Sequence, residues 1–305
     1  MQPTSSSSPS LCPLSKVGFI RLEGEDTARF LHNQLSQDVE TFRTNTAPLA
    51  AWHSPAGKVK AIVRILRVEN YWLLITTNDL VDSIVIDLKQ FVLRDHVRIS
   101  NAGDRWQAAA LVGSVDSWLR EYGIGLPLET GEQTDARGLL WLRLGSTLVY
   151  AIGLPATLGK LATKLPQGKG TDTELEEVSL GLPQLTAALQ NRFIPQMLNL
   201  DLLGAISRTK GCYPGQEIIA RTQNLGTIKR RMLRFSADHR DPPKIGKKIV
   251  TGSNTVAGEV VRAVSANGLV EILAVTQLDK ANQPLYYENN SAVMLRRQPL
   301  PYWDI

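Results

Sequence analysis

The chain of 305 residues has two cysteines, Cys12 and Cys212, far apart in sequence. Two distant cysteines form neither a disulfide framework nor a zinc centre, which takes clustered Cys and His ligands. A reducing compartment, the cytoplasm, fits this usage. His32 and His53 have no neighbouring ligands at metal spacing, so no metal is expected. No apolar run reaches the length of a membrane span. The first residues lack a basic start followed by an apolar stretch, so no secretory signal is expected either. Aromatic residues are 6% of the chain and scattered, which promises no stacking platform for RNA. Neither charge sign dominates: 34 Lys and Arg stand against 29 Asp and Glu, a net charge of +5. That excess permits an anionic partner without requiring one.

What is present is an ordinary core-forming composition, 43% hydrophobic and 21% charged. The length suits two or three domains, and no internal repeat is visible. Residues 1–13 begin Ser- and Pro-rich and are expected to be a disordered tail. A strand is expected over 16–22. A short helix capped by Asp26 follows, with Ala28, Leu31 and Leu35 on one face. Residues 48–68 read as a hairpin around Ser54-Pro55-Ala56-Gly57, and 71–77 as a further strand. Asn78 or Asp79 is expected to cap a helix carrying Val81, Ile84, Val85, Leu88 and Val92. Strands at 96–99 and 107–112, a helix at 114–121, a hairpin at 139–151 and a helix at 154–165 come next. Residues 167–171 read as a loop and subdomain boundary. After the Asp241-Pro242-Pro243 break, Asn267-Gly268 sits between strand patterns as a type I′ hairpin turn. The region 236–305 is therefore expected to be a small β-barrel or sandwich.

The most unusual segment is Lys210-Gly211-Cys212-Tyr213-Pro214-Gly215-Gln216-Glu217, preceded by Arg208. Pro214 suits the first turn of a helix that Gly226 ends. A helix N-terminus and neighbouring cations favour a thiolate, so Cys212 reads as a reactive or ligating thiol; the alternative is a buried Cys serving as a small hydrophobe.

This segment resembles the K-G-C-Y-x-G-Q-E signature of the YgfZ family, folate-binding proteins related to the T-protein of the glycine cleavage system. Residues 193–200, residues 30–39 with Gln34 and Asp38-Val39, residues 50–58, and Leu300-Pro301-Tyr302 resemble other family segments. The resemblance covers most of residues 16–236. It implies an α+β fold: a T-protein-like folate-binding region over 14–235 with a ferredoxin-like subdomain at about 106–168, then the C-terminal β-barrel over 236–305. It also implies a monomeric accessory protein that binds tetrahydrofolate or a derivative. Such proteins support assembly or repair of iron–sulfur clusters in client enzymes, among them tRNA-modifying enzymes; contact with tRNA itself is a further possibility. Cys212 would be the functional thiol, and the signature residues Lys210, Gly211, Tyr213, Gly215, Gln216 and Glu217 would build its turn. Gln34, Trp52, Arg64, Ser179, Gln196, Asn199 and Gln216 are the candidate folate contacts.

Two departures narrow the function. Where T-proteins carry acidic residues beside the nitrogen that accepts the one-carbon unit, this chain has Lys60 and Ala61. Neither can orient an amine or stabilise a developing positive charge. Glycine-cleavage aminomethyl transfer is therefore not expected, and a one-carbon transferase on another substrate is the alternative function. Ser179 stands where relatives carry a glutamate for the pterin, with Glu176 and Glu177 nearby. Bland readings stand beside the others: Trp52 as core, Arg64 as a solvated strand residue, Gln196 and Asn199 as turn residues. The basic run Lys229-Arg230-Arg231 with Arg234 is either an RNA-phosphate contact or a solvated face.

Overall fold

The computed structural model describes residues 8–125, 129–266 and 268–303. In chain order the first elements are β1 (Ser10–Pro13), β2 (Val17–Glu23), α1 (Thr27–Gln34), β3 (Leu49–His53), β4 (Val59–Val68), β5 (Tyr71–Thr77), α2 (Val81–Lys89) and β6 (Arg98–Asn101). Next come β7 (Gln107–Val112), α3 (Val115–Glu121), β8 (Gln133–Ala136), β9 (Leu139–Arg143), β10 (Leu148–Gly153), α4 (Pro155–Ala162) and α5 (Gly170–Ser179). The remainder is α6 (Gln216–Leu225), β11 (Arg230–Asp238), β12 (Lys248–Thr251), β13 (Val256–Ala266), β14 (Leu269–Gln277), β15 (Leu285–Tyr287) and β16 (Asn290–Gln298). The chain divides into two compact units. The first holds Met1–Phe30, Glu40–Pro48 and Arg64–Glu176; the second holds Leu31–Val39, Leu49–Val63 and Glu177–Ile305.

The first unit contains an antiparallel sheet ordered β1-β7-β10-β9-β8. The run β7-α3-β9-β10-α4 has the βαββα order of a ferredoxin-like unit, and β1 supplies the closing strand from the other end of the sequence. Leu11, Leu111, Leu119, Trp141, Leu158 and Leu161 make the core beneath its helices. Of the expected tail, residues 1–7 lie outside the described residues, and Ser10–Pro13 is a paired strand rather than a tail. Its composition misled because alternation over four residues is too short to stand out from its Ser- and Pro-rich surroundings. Cys12 is fully buried there, and burial pushes its thiol pKa up. Gly168 lies so close that a Cβ on it would fall 2.4 Å from Cys12 Sγ. The expected loop 167–171 is likewise partly structured: Leu11 N donates to Pro166 O, Gly168 N donates to Leu11 O, and α5 begins at Gly170.

The same unit holds an antiparallel run in which the second half of β4 pairs with β5, β5 with β2, and β2 with β6. The apolar residues of α2 are buried as their helical spacing predicts, but the expected caps are absent. A 3₁₀ turn, Asn78–Leu80, leads into α2, and the helix ends at Lys89, before Val92. Asp26 does not cap α1 either; its carboxylate accepts from His96 N and pairs with Arg29.

In the second unit, β11-β14-β13-β12-β15-β16 close into an antiparallel barrel. The barrel starts at Arg230 rather than 236, because β11 pairs with both β14 and β16 and so closes the ring. Phe235, Ile249, Val260, Ile272, Leu285 and Leu295 fill its interior. Asn267 lies outside the described residues. Gly268 has φ +79°, as the predicted turn needs, and β13 and β14 pair on either side from Ala266 and Leu269.

Leu11 separates the strand from the tail reading. It is 4% exposed within the subdomain core. Leu11→Ala should lower the unfolding free energy by about 2–5 kcal/mol in urea titrations; a disordered tail would leave it within about 0.5 kcal/mol.

Candidate functional site

The second unit holds the signature loop and most of the family-like segments. Helix α1 ends abruptly: Ser36 N turns away to Ala51 O instead of continuing the helical ladder. The carbonyls of its last turn therefore need other donors. Lys210 supplies them. Its Nζ donates to His32 O and, at 2.6 Å, to Leu35 O. Lys210 is only 8% exposed, so this ammonium is a buried cap at a helix C-terminus, where positive charge is favoured. Ser36 extends the seam, its Oγ donating to Ala205 O at 2.7 Å and accepting from Ala51 N at 2.9 Å. Ser207 N donates to Ser36 O, and Lys210 N donates to Ser207 Oγ. The lysine read as a neighbouring cation for Cys212 is thus committed to backbone carbonyls.

Past Lys210 the loop crosses the β3–β4 hairpin. Gly215 adopts φ +78°, and a Cβ there would fall 2.6 Å from Ser54 O and 2.7 Å from Gly57 Cα. Only glycine suits this position, because the two backbones touch and the conformation is left-handed. That conformation also corrects the placement of Pro214, which sits in the turn before α6 rather than in its first turn. Gln216 opens α6, and its N–H donates to Tyr213 O at 3.2 Å. Glu217 is exposed in the first turn, where a carboxylate suits the helix dipole. Gly226 ends α6 as expected.

Cys212 is exposed, so the buried-hydrophobe reading fails for this cysteine and applies to Cys12. Tyr213 turns inward and is buried, with the Lys210 ammonium 4.9 Å from its ring centroid and the His53 ring 5.9 Å away. Burial raises the Tyr213 hydroxyl pKa to about 12. His53, at the end of β3, is 2% exposed, and neither ring nitrogen has a hydrogen-bond partner among the described residues. Desolvation lowers its pKa to about 3, so it stays neutral at physiological pH. Sequence reasoning passed over His53. The available signal was a histidine closing the apolar run Leu49–His53.

The other expected site residues have various partners. Gln34 adjoins Leu35, which bridges Trp52, and its Oε1 is buried without a partner among the described residues. Trp52 is buried, and Lys60 Nζ lies 4.0 Å over its ring, covering one stacking face. Gln196 donates to Ile219 O of α6 at 2.9 Å. Asn199 takes φ +57° after a 3₁₀ turn and donates to Met232 O at 2.7 Å. Arg64 belongs to the first unit, where it donates to Ala47 O at 3.1 Å. Ser179 ends α5. Of its neighbouring carboxylates, Glu176 accepts from Thr147 and Glu177 pairs with Arg262 in β13. Tyr302 donates to Gly181 O at 2.8 Å, which ties the closing segment to the turn after α5. The basic run is not a uniform solvated face. Arg231 makes a two-point ion pair with Asp201, Arg234 pairs with Glu271, and Lys229 and Arg230 are exposed.

Among the described residues no His, Cys, Asp and Glu cluster could hold a metal ion. No described helix is long and apolar enough to cross a membrane. A cavity of about 470 Å³ in the barrel, lined by Thr251, Asn254, Tyr286, Tyr287, Asn289 and Asn290 among others, contains none of the sequence-derived site residues.

No family model matches the chain. An uncharacterised protein of Haemophilus influenzae is 29% identical over 295 residues, covering 95% of this chain and 96% of that one. The tRNA-modifying protein YgfZ of Colwellia psychrerythraea is 27% identical over 300 residues, covering 96% and 93%. The Escherichia coli protein of the same name is 27% identical over 307 residues, again covering 96% and 93%. Among solved structures, the glycine cleavage system aminomethyltransferase T from Bartonella henselae matches with a TM-score of 0.77. The match covers 98% of this chain and 87% of that one at 14% identity, which shows a shared fold.

The buried imidazole gives stability a pH dependence. His53 titrates near 6.5 when unfolded and near 3 when folded, so below pH 6.5 the unfolded state binds the extra proton. Its contribution is therefore intact above pH 6.5 and is lost as pH falls toward 3. Urea unfolding at pH 7.5 and pH 5 should differ by about 2 kcal/mol from this group. His53→Gln should remove that part of the slope; an unchanged slope would mean that His53 is solvated.

Proposed function

The chain is a relative of the YgfZ proteins over almost its whole length, and from that premise we propose that it is a folate-binding accessory protein acting in tRNA modification. In this reading it supports assembly or repair of iron–sulfur clusters in client enzymes of the cytoplasm, tRNA-modifying enzymes among them. The observation that carries the reading is the exposed Cys212 on a loop held from both sides: the Lys210 ammonium binds the end of α1, and Gly215 is seated on the β3–β4 turn. A loop so constrained presents a thiol to a partner at little entropic cost. One thiol cannot hold a cluster that takes four protein ligands, so any contact with a cluster is shared with the client.

The fit to tetrahydrofolate is partial. Gln34 Oε1 and the nitrogens of His53 are buried polar atoms without partners among the described residues, suited to a neutral hydrogen-bonding ring such as a pterin. Gln196 and Asn199 are engaged with backbone carbonyls, and Trp52 has one face under Lys60. Gln34 and His53 are therefore the residues of this unit that would hold the ring. Tetrahydrofolate, when bound, supplies a carrier for one-carbon units. The shared fold with an aminomethyltransferase favours a one-carbon transferase as the second reading. Against it, the positions of the expected acid hold Lys60, stacked on Trp52, and Ala61, fully buried.

The test is restoration of thiolated tRNA and iron–sulfur client activity in a bacterial strain deleted for its own YgfZ relative. The wild-type chain should restore both. Cys212→Ser and Cys212→Ala, matched for abundance, should restore neither, while their far-UV spectra and melting stay unchanged. Wild-type restoration by both variants would remove the thiol from the function. In parallel, tetrahydrofolate should bind with micromolar-class affinity, about −8 kcal/mol; no heat and no competition at millimolar ligand would remove folate.

A further inference from the structure

The aromatic residues are scattered along the sequence, yet the ferredoxin-like unit stacks two of them. Trp118 on α3 and Tyr122 at its C-terminal end stand four apart and so share one helix face. Their rings lie nearly parallel, with centroids 4.6 Å apart and planes at 19°. Both are half-buried, one side resting on the subdomain core. The Arg137 guanidinium extends the stack, 4.5 Å from the Tyr122 centroid, and Lys164 Nζ lies 5.9 Å from the same centroid. Arg137 takes φ +57° in the two-residue turn between β8 and β9, beside Gly138 at φ +73°. Arginine is uncommon in that left-handed conformation, where Asn, Asp or Gly suits the turn better. Tyr122 is the ring partner of Trp118, and the indole N–H has no hydrogen-bond partner among the described residues. The charge around the stack is one-sided. Between Asp135 and Asp172 the sequence holds Arg137, Arg143, Lys160, Lys164 and Lys169 and no carboxylate side chain. Arg143 is buried and pairs with Asp116; the other four are exposed and make no ion pair among the described residues. Lys160 lies in the last turn of α4, and Lys164 follows just beyond its end.

We propose that this stack is a docking platform for a single-stranded RNA segment. One unpaired base lies on the indole face of Trp118 turned away from Tyr122, and the flanking phosphates meet Arg137, Lys160 and Lys164. A flat aromatic face stacks any base, and cations without carboxylate partners of their own are free to exchange counterions for phosphates. An acidic peptide would use the cations and leave the ring idle. A duplex would offer phosphates and keep its base faces hidden. The choice of RNA rests on the proposed role in tRNA modification; the platform itself belongs to the first unit, whereas the signature loop belongs to the second. The other charged groups on α3 are Asp116, which Arg143 engages, Arg120 and Glu121. Glu121 is exposed and three residues from Trp118, so its carboxylate weakens the attraction for a phosphate.

The test is fluorescence anisotropy of a fluorescein-labelled octa-adenylate titrated with the purified full-length protein over a series of salt concentrations. The single strand should bind, and more tightly than a duplex RNA of the same length or a polyglutamate of the same charge. Trp118→Leu should weaken binding by about 5-fold or more while leaving the salt dependence unchanged. Trp118→Phe, which keeps a ring, should recover most of the loss. Lys160→Gln and Lys164→Gln should each lower the slope of log affinity against log salt by about 0.7. Glu121→Gln should tighten binding. Because both lysines are exposed, their slopes carry the test even if Trp118→Leu fails to fold. Absence of binding, equal binding of duplex or polyglutamate, or wild-type affinity in a folded Trp118→Leu would each overturn the proposal. So would unchanged slopes in both lysine variants. The measurement needs neither Cys212 nor folate, so its failure is distinct from loss of restoration in cells.

Discussion

A helix that stops inside a protein leaves carbonyls without donors, and burying them unpaired costs about 1–3 kcal/mol each. The Lys210 ammonium meets that requirement at the end of α1. An ammonium that is 8% exposed is costly to desolvate, so the carbonyls and the lysine need one another. Their pairing fixes the start of the signature loop, and the rest of the loop follows from that anchor. The adjacent seam through Ser36, Ala51, Ala205 and Ser207 repeats the same logic with hydroxyl and backbone groups.

The second anchor is steric. Gly215 is pressed against Ser54 and Gly57, so the chain can cross the hairpin only where neither backbone carries a side chain. Between the two anchors, Tyr213 points inward and Cys212 points outward. The signature therefore divides its labour: Lys210, Tyr213 and Gly215 build the turn, and Cys212 is the group the turn displays. A buried cysteine does exist in this chain, but it is Cys12, packed on Gly168.

Long periodic elements were legible from the sequence. The face of α2, the β13–β14 hairpin around Gly268 and the α6 terminus at Gly226 all follow from spacing and turn chemistry. What was not legible depends on contacts far along the chain. Strand β1 is recognisable only beside β7, and Arg230 belongs to the barrel only because β16 returns to close it. The resemblance located the signature, yet the role of Lys210 could not be read from Cys212 two residues away, because its partners lie near residue 35. Arg231 misled for the same reason: it sits in a basic run by sequence, while Asp201 holds it by a two-point ion pair. His32 passed as an ordinary polar residue because its carbonyl gains the Lys210 partner only from far along the chain.

The central claim is that Lys210 acts as the structural anchor of the loop rather than as a cation for the thiol. The direct measurement is the urea unfolding free energy of Lys210→Met, which keeps the length of the side chain and removes the ammonium. Two charge-assisted hydrogen bonds are lost and two carbonyls are left buried, so stability should fall by about 3 kcal/mol or more. A change below about 0.5 kcal/mol would place Lys210 on the surface, outside the seam, and would contradict the account.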